Sequence, residues 1–311
     1  MTDHPLVSVI IPTFNSGTCI SKTIMSIENS GYQNIEIIVI DDGSIDRTAD
    51  IISALSATNS NIRYYYQPNS GQSSARNLGI AQAKGSYIMF VDSGDTLTNN
   101  AIGTLVNIAQ NYNCQLVSFD FRTDGPQTRS DIIAQPYPET GLKDTEAFKE
   151  HLYDGQTGNF VWSYFFDINL FRVDNIQFPP MINMMEDVVV LNAILDNIDE
   201  VYMLNKALYC YAIDPSSFSR TMDEDKIRQG AEALELLNKD KRNDSIYYAG
   251  YITNLYIFLI SSVIKSKSSY SLGREMTKRL TEINAQNTPQ KAYNLKTHIK
   301  ILVFKALFLV L

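Results

Sequence analysis

Val7-Ser8-Val9-Ile10-Ile11, running into Pro12-Thr13-Phe14-Asn15, is the first of three apolar stretches that end in polar chemistry. Residues 35–40 (IEIIVI) run into Asp41-Asp42-Gly43-Ser44, and residues 86–91 (SYIMFV) into Asp92-Ser93-Gly94-Asp95. Runs this apolar suit strands buried on both faces, as in a parallel sheet covered by helices. In open α/β sheets ligands bind beyond the carboxyl ends of the strands. Three such ends bearing carboxylates or amides predict one shared site.

Working outward, strand and helix patterns alternate. Helices are expected over 18–30, 46–58, 72–83 and 99–111, with a further strand over 115–121. This βα order predicts an α/β fold with a doubly wound, mostly parallel sheet. Residues 122–141 are polar and hold three of the ten prolines, so they read as a long loop, a length often tied to function. Residues 159–173 are aromatic-rich and include the only tryptophan, Trp162. A helix over 186–197 and a strand over 201–213 follow. Beyond about Thr221 helical periodicity dominates, over 223–239, 246–265, 272–284 and from 290 onward. The expected organisation is a catalytic domain over 1–221 and a C-terminal helical appendage over 222–311.

Composition excludes several classes. With 44% hydrophobic and 19% charged residues among 311, the chain is an ordinary globular protein rather than a disordered one. A net charge of −8 argues against nucleic-acid binding, which needs basic surfaces. Cys19, Cys114 and Cys210 are too widely spaced for a zinc site and fit reduced thiols. With the first strand expected to start by Leu6, no signal peptide is expected, and no apolar stretch approaches the ~20 residues that span a bilayer. A cytoplasmic location is expected, with peripheral attachment to the inner face of the membrane as an addition suggested by the tail.

Asp41 and Asp42 fit an ordinary Asp-Gly-Ser turn as well as a site. With Asp92 and Asp95 at a neighbouring strand end, clustered carboxylates would repel one another unless a cation or hydrogen-bond donors neutralise them. Mg²⁺ or Mn²⁺ is the hard-ligand solution, and it brings phosphates with it.

Four motifs then occur in order: Pro12-Thr13-Phe14-Asn15, Asp41-Asp42-Gly43-Ser44, the run Asn69-Ser70-Gly71-Gln72-Ser73-Ser74-Ala75-Arg76-Asn77-Leu78-Gly79, and Asp92-Ser93-Gly94-Asp95. Together with Val161-Trp162 and Met185-Glu186-Asp187-Val188 they resemble the family 2 glycosyltransferases, which have the GT-A fold and abound in bacterial polysaccharide synthesis. The resemblance covers roughly residues 5–221. It implies an inverting, metal-dependent transfer from a nucleotide-sugar, a UDP-sugar by preference, to a glycan or lipid-linked glycan acceptor.

By the same resemblance, Pro12, Thr13 and Asn15 line the nucleotide pocket, Asp41 bonds the uracil and Asp42 lies nearby. Gly71 permits a tight turn beside the ligand, and Arg76 reaches the base or diphosphate, as a planar guanidinium can. Asp92 and Asp95 would hold Mn²⁺ or Mg²⁺; many relatives read Asp-x-Asp-Asp here, and this chain has Gly94 at the second Asp. Asp187 would be the catalytic base with Glu186 in support, although acidic residues at a helix start are favourable on their own. Trp162 is either a core residue or a floor for the acceptor or sugar. The sequence continues Ser163-Tyr164 where relatives often read Asn-Lys. Arg220 is either a surface arginine or a partner of the donor diphosphate.

Rival classes lack their signatures. No G-x-G-x-x-G follows the first strand, as a dehydrogenase requires, and there is no P-loop. A sugar nucleotidyltransferase would want a basic first loop, and residues 12–17 contain no Lys or Arg. A non-catalytic nucleotide-sugar-binding scaffold stays open because of Gly94. In the tail, Lys291, Lys296, Lys300 and Lys305 lie among apolar residues with no acidic one. This pattern suits an anionic membrane surface, a helix packed on the body, or an oligomer contact.

Overall fold

In a computed structural model of the chain, residues 4–125, 128–133, 137–213, 222–239, 246–266, 268–286 and 295–310 are described. Among them nine strands form one sheet: β1 (Val7–Thr13), β2 (Ile35–Asp41), β3 (Ile62–Tyr66), β4 (Tyr87–Phe90), β5 (Thr96–Leu97), β6 (Leu116–Asp124), β7 (Gly141–Asp144), β8 (Tyr164–Asp167) and β9 (Glu200–Ala212). Their order is β3-β2-β1-β4-β8-β6-β9-β5, with β7 also on β9. The β3-β2-β1-β4 half is wholly parallel. β8, β5 and β7 run against the rest, so the sheet is mixed and mostly parallel.

Every residue of β1 and β2 is buried, which is why their sequences are continuous apolar runs rather than alternating ones. Helices α1 (Ile20–Glu28), α2 (Thr48–Thr58), α3 (Gln72–Gln82) and α4 (Ala101–Tyr112) connect the first strands. In α1, Ile20, Thr23, Ile24 and Ile27 are buried, the three- and four-residue spacing of a single helix face. Gly79 lets α3 press on β1: a Cβ there would stand 2.3 Å from Ile10 Cγ2. Then come α5 (Thr145–Tyr153), the short α6 (Asn169–Arg172) and α7 (Glu186–Leu195). The C-terminal helices are α8 (Glu224–Lys239), α9 (Ile246–Ser266), α10 (Tyr270–Gln286) and α11 (Leu295–Lys305), the last continuing into a π-helical turn, Ala306–Val310.

The structure refines several expectations. The 122–141 stretch is not loop throughout: β6 runs to Asp124, and Arg129–Asp131 is a 3₁₀ turn. The aromatic-rich stretch holds β8, inserted between β4 and β6. Two compact units result, one of residues 1–181 and 190–214, the other of 182–189 and 215–311. The start of α7 therefore clusters with the C-terminal helices. Among the described residues, no helix is long and apolar enough to cross a membrane.

Candidate active site

Register alone brings three strand ends side by side. Thr13 pairs with Asp41, and Asp41 with Tyr66. On the other flank Ile10 pairs with Phe90, and Val91 N–H donates to Ile10 O, so the Asp92 loop leaves β4 beside the Pro12-Thr13 end of β1.

Each expected nucleoside residue has a definite local state. Pro12 is buried, and Thr13, also buried, has an Oγ1 with no hydrogen-bond partner among the described residues. Such orphans are rare enough in folded proteins to need a reason. Asn15 is exposed at φ +49; its Oδ1 accepts from Ile45 N, and its own N–H donates to Ser44 Oγ. Phe14 beside it is half-exposed, an aromatic face that the motif reading left unused. Asp41 is fully buried, with Oδ1 accepting from Ser44 N and Oδ2 from Tyr64 Oη at 2.9 Å. Burial, and then the Asp41 carboxylate, hold the Tyr64 phenol well above its ordinary pKa, so it remains a donor. Asp42 accepts from Gln67 Nε2 and Ser70 N on Oδ1 and from Gly71 N on Oδ2. It brackets the turn that starts α3.

Arg76, on α3, is 1% exposed. Its Nη2 lies 3.3 Å from Asp92 Oδ1, and its guanidinium carbon lies 5.2 Å from the Phe178 ring centroid. A buried cation needs such partners, because desolvation otherwise outweighs attraction. Gln72 Nε2, which sequence reasoning missed, also reaches Asp92 Oδ1 at 3.3 Å. The adjacent Asn77 brackets the Phe178 backbone, donating to its carbonyl and accepting from its N–H.

The Asp92–Asp95 loop is pinned at every residue. Asp92 N donates to Tyr209 Oη at 3.1 Å, Ser93 Oγ meets Ser16 Oγ at 2.8 Å, and Gly94 N donates to Thr23 Oγ1 at 2.9 Å. Asp95, 4% exposed, accepts from Tyr209 Oη at 2.6 Å and Ala212 N at 2.7 Å, one donor on each oxygen. Burial, followed by the Asp92 charge, pushes its pKa up to about 8. Gly94 has φ +107, a backbone region that side-chain-bearing residues rarely adopt. The loop therefore favours the glycine this chain carries there.

These facts bear on the implied cation. Among the described residues, no group of three or more His, Cys, Asp or Glu side chains could hold a metal. Mg²⁺-type sites commonly use one or two carboxylates and complete the shell with water and substrate phosphates. Asp92, with its side chain 29% exposed, fits that pattern, whereas both Asp95 oxygens are already engaged by protein donors.

Trp162 is a core residue, 5% exposed, stacked on Tyr209 at 4.6 Å, Phe160 at 4.8 Å and Tyr211 at 5.5 Å. It supports the ring whose hydroxyl holds the Asp92–Asp95 loop. Glu186, buried, and Asp187, half-buried, open α7 in the second unit, after Met185 at φ +65. Arg220 lies outside the described residues. No local signal pointed to Tyr209, which lies 114 residues from Asp95 in the chain.

Comparisons with known proteins place this arrangement. Residues 8–174 match the model of Glycosyl transferase family 2, and the chain belongs to that family. It is 30% identical over 241 residues to the uncharacterized glycosyltransferase EpsJ of Bacillus subtilis, covering 75% of this chain and 70% of that one. Among solved structures, Staphylococcus aureus TarS 1–349 in complex with UDP-GlcNAc aligns with TM-score 0.62 at 17% identity, over 96% of this chain and 88% of that one. A mannosyltransferase from Pyrobaculum calidifontis, in complex with GDP-Man and Mn²⁺, aligns with TM-score 0.59 at 14% identity, over 99% and 87%. The fold is the GT-A fold, and the chain is a glycosyltransferase.

Proposed function

We propose that the chain moves a sugar from a nucleotide-sugar, a UDP-sugar by preference, to a glycan or lipid-linked glycan in bacterial surface polysaccharide synthesis. In this reading the catalytic part is 1–221, followed by a helical C-terminal region over 222–311. The observation that carries it is the buried Arg76 guanidinium held against Asp92 beyond the carboxyl end of β4, the strand that pairs with β1, at whose own end the Thr13 hydroxyl has no hydrogen-bond partner among the described residues. A guanidinium and an orphan hydroxyl at parallel strand ends suit a diphosphate and a nucleoside. The UDP-GlcNAc complex of TarS and the GDP-Man and Mn²⁺ complex of the mannosyltransferase support the donor class.

The residues divide the work. Pro12, Thr13 and Asn15 border the nucleoside, Asp41 and Asp42 shape the base end, and Gly71 opens the turn that carries Arg76 toward the diphosphate. Asp92 is the protein ligand for Mn²⁺ or Mg²⁺, and Asp95 holds Asp92's loop. A bound divalent cation offsets charge on the departing diphosphate. Asp187 takes the acceptor hydroxyl proton as the new bond forms, with Glu186 beside it in sequence, and attack opposite the leaving group inverts the anomeric centre. Arg220 is assigned to the diphosphate and Trp162 to support of the site through Tyr209.

The test is transfer and donor hydrolysis over a panel of nucleotide-sugars with Mn²⁺ or Mg²⁺, alongside thermal stabilisation by each nucleotide. Transfer that Arg76→Ala lowers is the expected result. A folded protein that no nucleotide stabilises would overturn the proposal. Stabilisation by UDP without transfer or hydrolysis would favour a nucleotide-sugar-binding scaffold, a reading to which Gly94 and the engaged Asp95 lend weight.

A further inference from the structure

The last described helix has two faces, and both are apolar. Ile301, Phe304 and Phe308 are buried, at 5–8% exposure. Leu302, Val303, Ala306 and Leu307 are exposed, Leu302 at 66% and Val303 at 53%. The inward face is already seated. The Phe308 ring lies 5.4 Å from that of Tyr270 at the start of α10, and a Cβ at Gly273 would stand 2.2 Å from Phe308 Cε1. The ring enters where α10 has no side chain. The outward residues are thus not a core face awaiting its own fold.

Beyond Lys300 this helix is apolar on its buried and its exposed side with Lys305 as the one charge, and exposed apolar patches mark interaction sites. What surrounds this one selects the partner. Lys300, exposed, and Lys305, half-buried, flank the patch on its two sides at helical spacing, and no Asp or Glu occurs from 291 to 311. This cationic stretch stands on a chain of net charge −8. Tyr270, half-exposed against Phe308, adds a ring of the amphipathic type that favours membrane–water interfaces.

We propose that the face formed by Leu302, Val303, Ala306 and Leu307, edged by Lys300 and Lys305, docks on an anionic lipid bilayer, the helix lying in the plane of the interface. The inference rests on the proposed lipid-linked acceptor for its purpose and on the two-faced helix for its physics. A second copy is the weaker occupant: symmetric pairing across this face would oppose Lys300 and Lys305 of one copy to those of the other. Few side chains insert, so binding is reversible and depends on charge. A lysine near an anionic surface contributes about fivefold in partition, so Lys300→Gln with Lys305→Gln lowers binding by about twenty-five-fold.

The experiment is co-flotation of the full chain with vesicles of phosphatidylcholine alone or with added phosphatidylglycerol, at low and high salt. Wild type should float with the anionic vesicles only and be released by salt. Both the double lysine variant and Leu302→Gln with Leu307→Gln should lose flotation while keeping the wild-type melting midpoint and UDP-dependent stabilisation. Absence of wild-type flotation, equal flotation on neutral lipid, or a concentration-dependent dimer abolished by the leucine variant would each overturn the docking. Flotation with no sugar transfer would instead overturn the catalytic reading and leave the docking face standing.

Discussion

Tyr209→Phe isolates one oxygen atom at the centre of the candidate site. The ring is fully buried and stacked on Trp162, and phenylalanine keeps that stack. Only the hydroxyl is lost, and with it the 2.6 Å bond to Asp95 Oδ2 and the 3.1 Å bond from Asp92 N. With its pKa pushed up to about 8, Asp95 is mostly protonated near neutral pH, so both bonds count as neutral ones of about 1 kcal/mol each and a loss of about 2 kcal/mol is expected. For a unit of this size each kcal/mol shifts the melting midpoint by about 2–4 °C, which predicts a fall of about 4–8 °C. The freed Asp92 loop should also bind a cation–diphosphate pair about tenfold more weakly. Calorimetric titration of UDP with and without Mn²⁺, beside differential scanning calorimetry, reads both effects. Weakening confined to the Mn²⁺-dependent part of UDP binding fits a loop anchor. An unchanged midpoint together with unchanged Mn²⁺-dependent binding would refute the reasoning. Asp95→Asn sharpens the comparison, because an anchor should lower the midpoint, whereas a direct metal ligand should cost metal binding with the midpoint nearly held.

Asp187→Asn should lower transfer by about 10²–10⁴-fold in steady-state assays while UDP titrations stay unchanged; near wild-type transfer would remove Asp187 from the role of base. Gly94→Asp has room, since an added Cβ meets only Cys19 Sγ at 3.7 Å, but φ +107 disfavours it. Destabilisation of about 1–2 kcal/mol in urea unfolding is expected, and a neutral outcome would show that the loop relaxes. Glu36 gives a pH signature. Burial raises its pKa, but Ser8 Oγ, the Lys84 amide and Arg63 outweigh burial and hold it below its ordinary value. Its contribution is therefore present above the unfolded-state pKa and is lost as pH falls through the folded one. Glu36→Gln should be less stable at neutral pH and show a shallower acid loss, followed by thermal midpoints from pH 6 downward.

The elements that could be read from local pattern are those whose environment is uniform. β1 and β2 are buried at every residue, as are residues 88–90 of β4 and 116–119 of β6, so their apolar runs stand out. β8, with Tyr-Phe-Phe-Asp, reads as an aromatic patch because its antiparallel place between β4 and β6 is decided by partners far along the chain. β7 and the two-residue β5 have too few residues to show a period. In the site, Arg76 and Asp92 were legible through motif order, and they do come together. What Asp95 does was not legible, because Tyr209 and Ala212 reach it from the other end of the unit. The start of α7 was readable as a helix with acidic first-turn residues, but nothing local told that it clusters with the C-terminal helices.

Asp42 accepts three hydrogen bonds, from Gln67, Ser70 and Gly71, and so welds the β2 turn to the turn that begins the Arg76 helix. A turn fixed in this way has little freedom left to lose when a nucleotide arrives. Association at this end of the molecule should then be fast and enthalpically simple, with discrimination between bases coming from misfit against a rigid frame rather than from rearrangement. Variation in donor choice among related chains should therefore appear as changes in side chains around an unchanged Asp42 bracket.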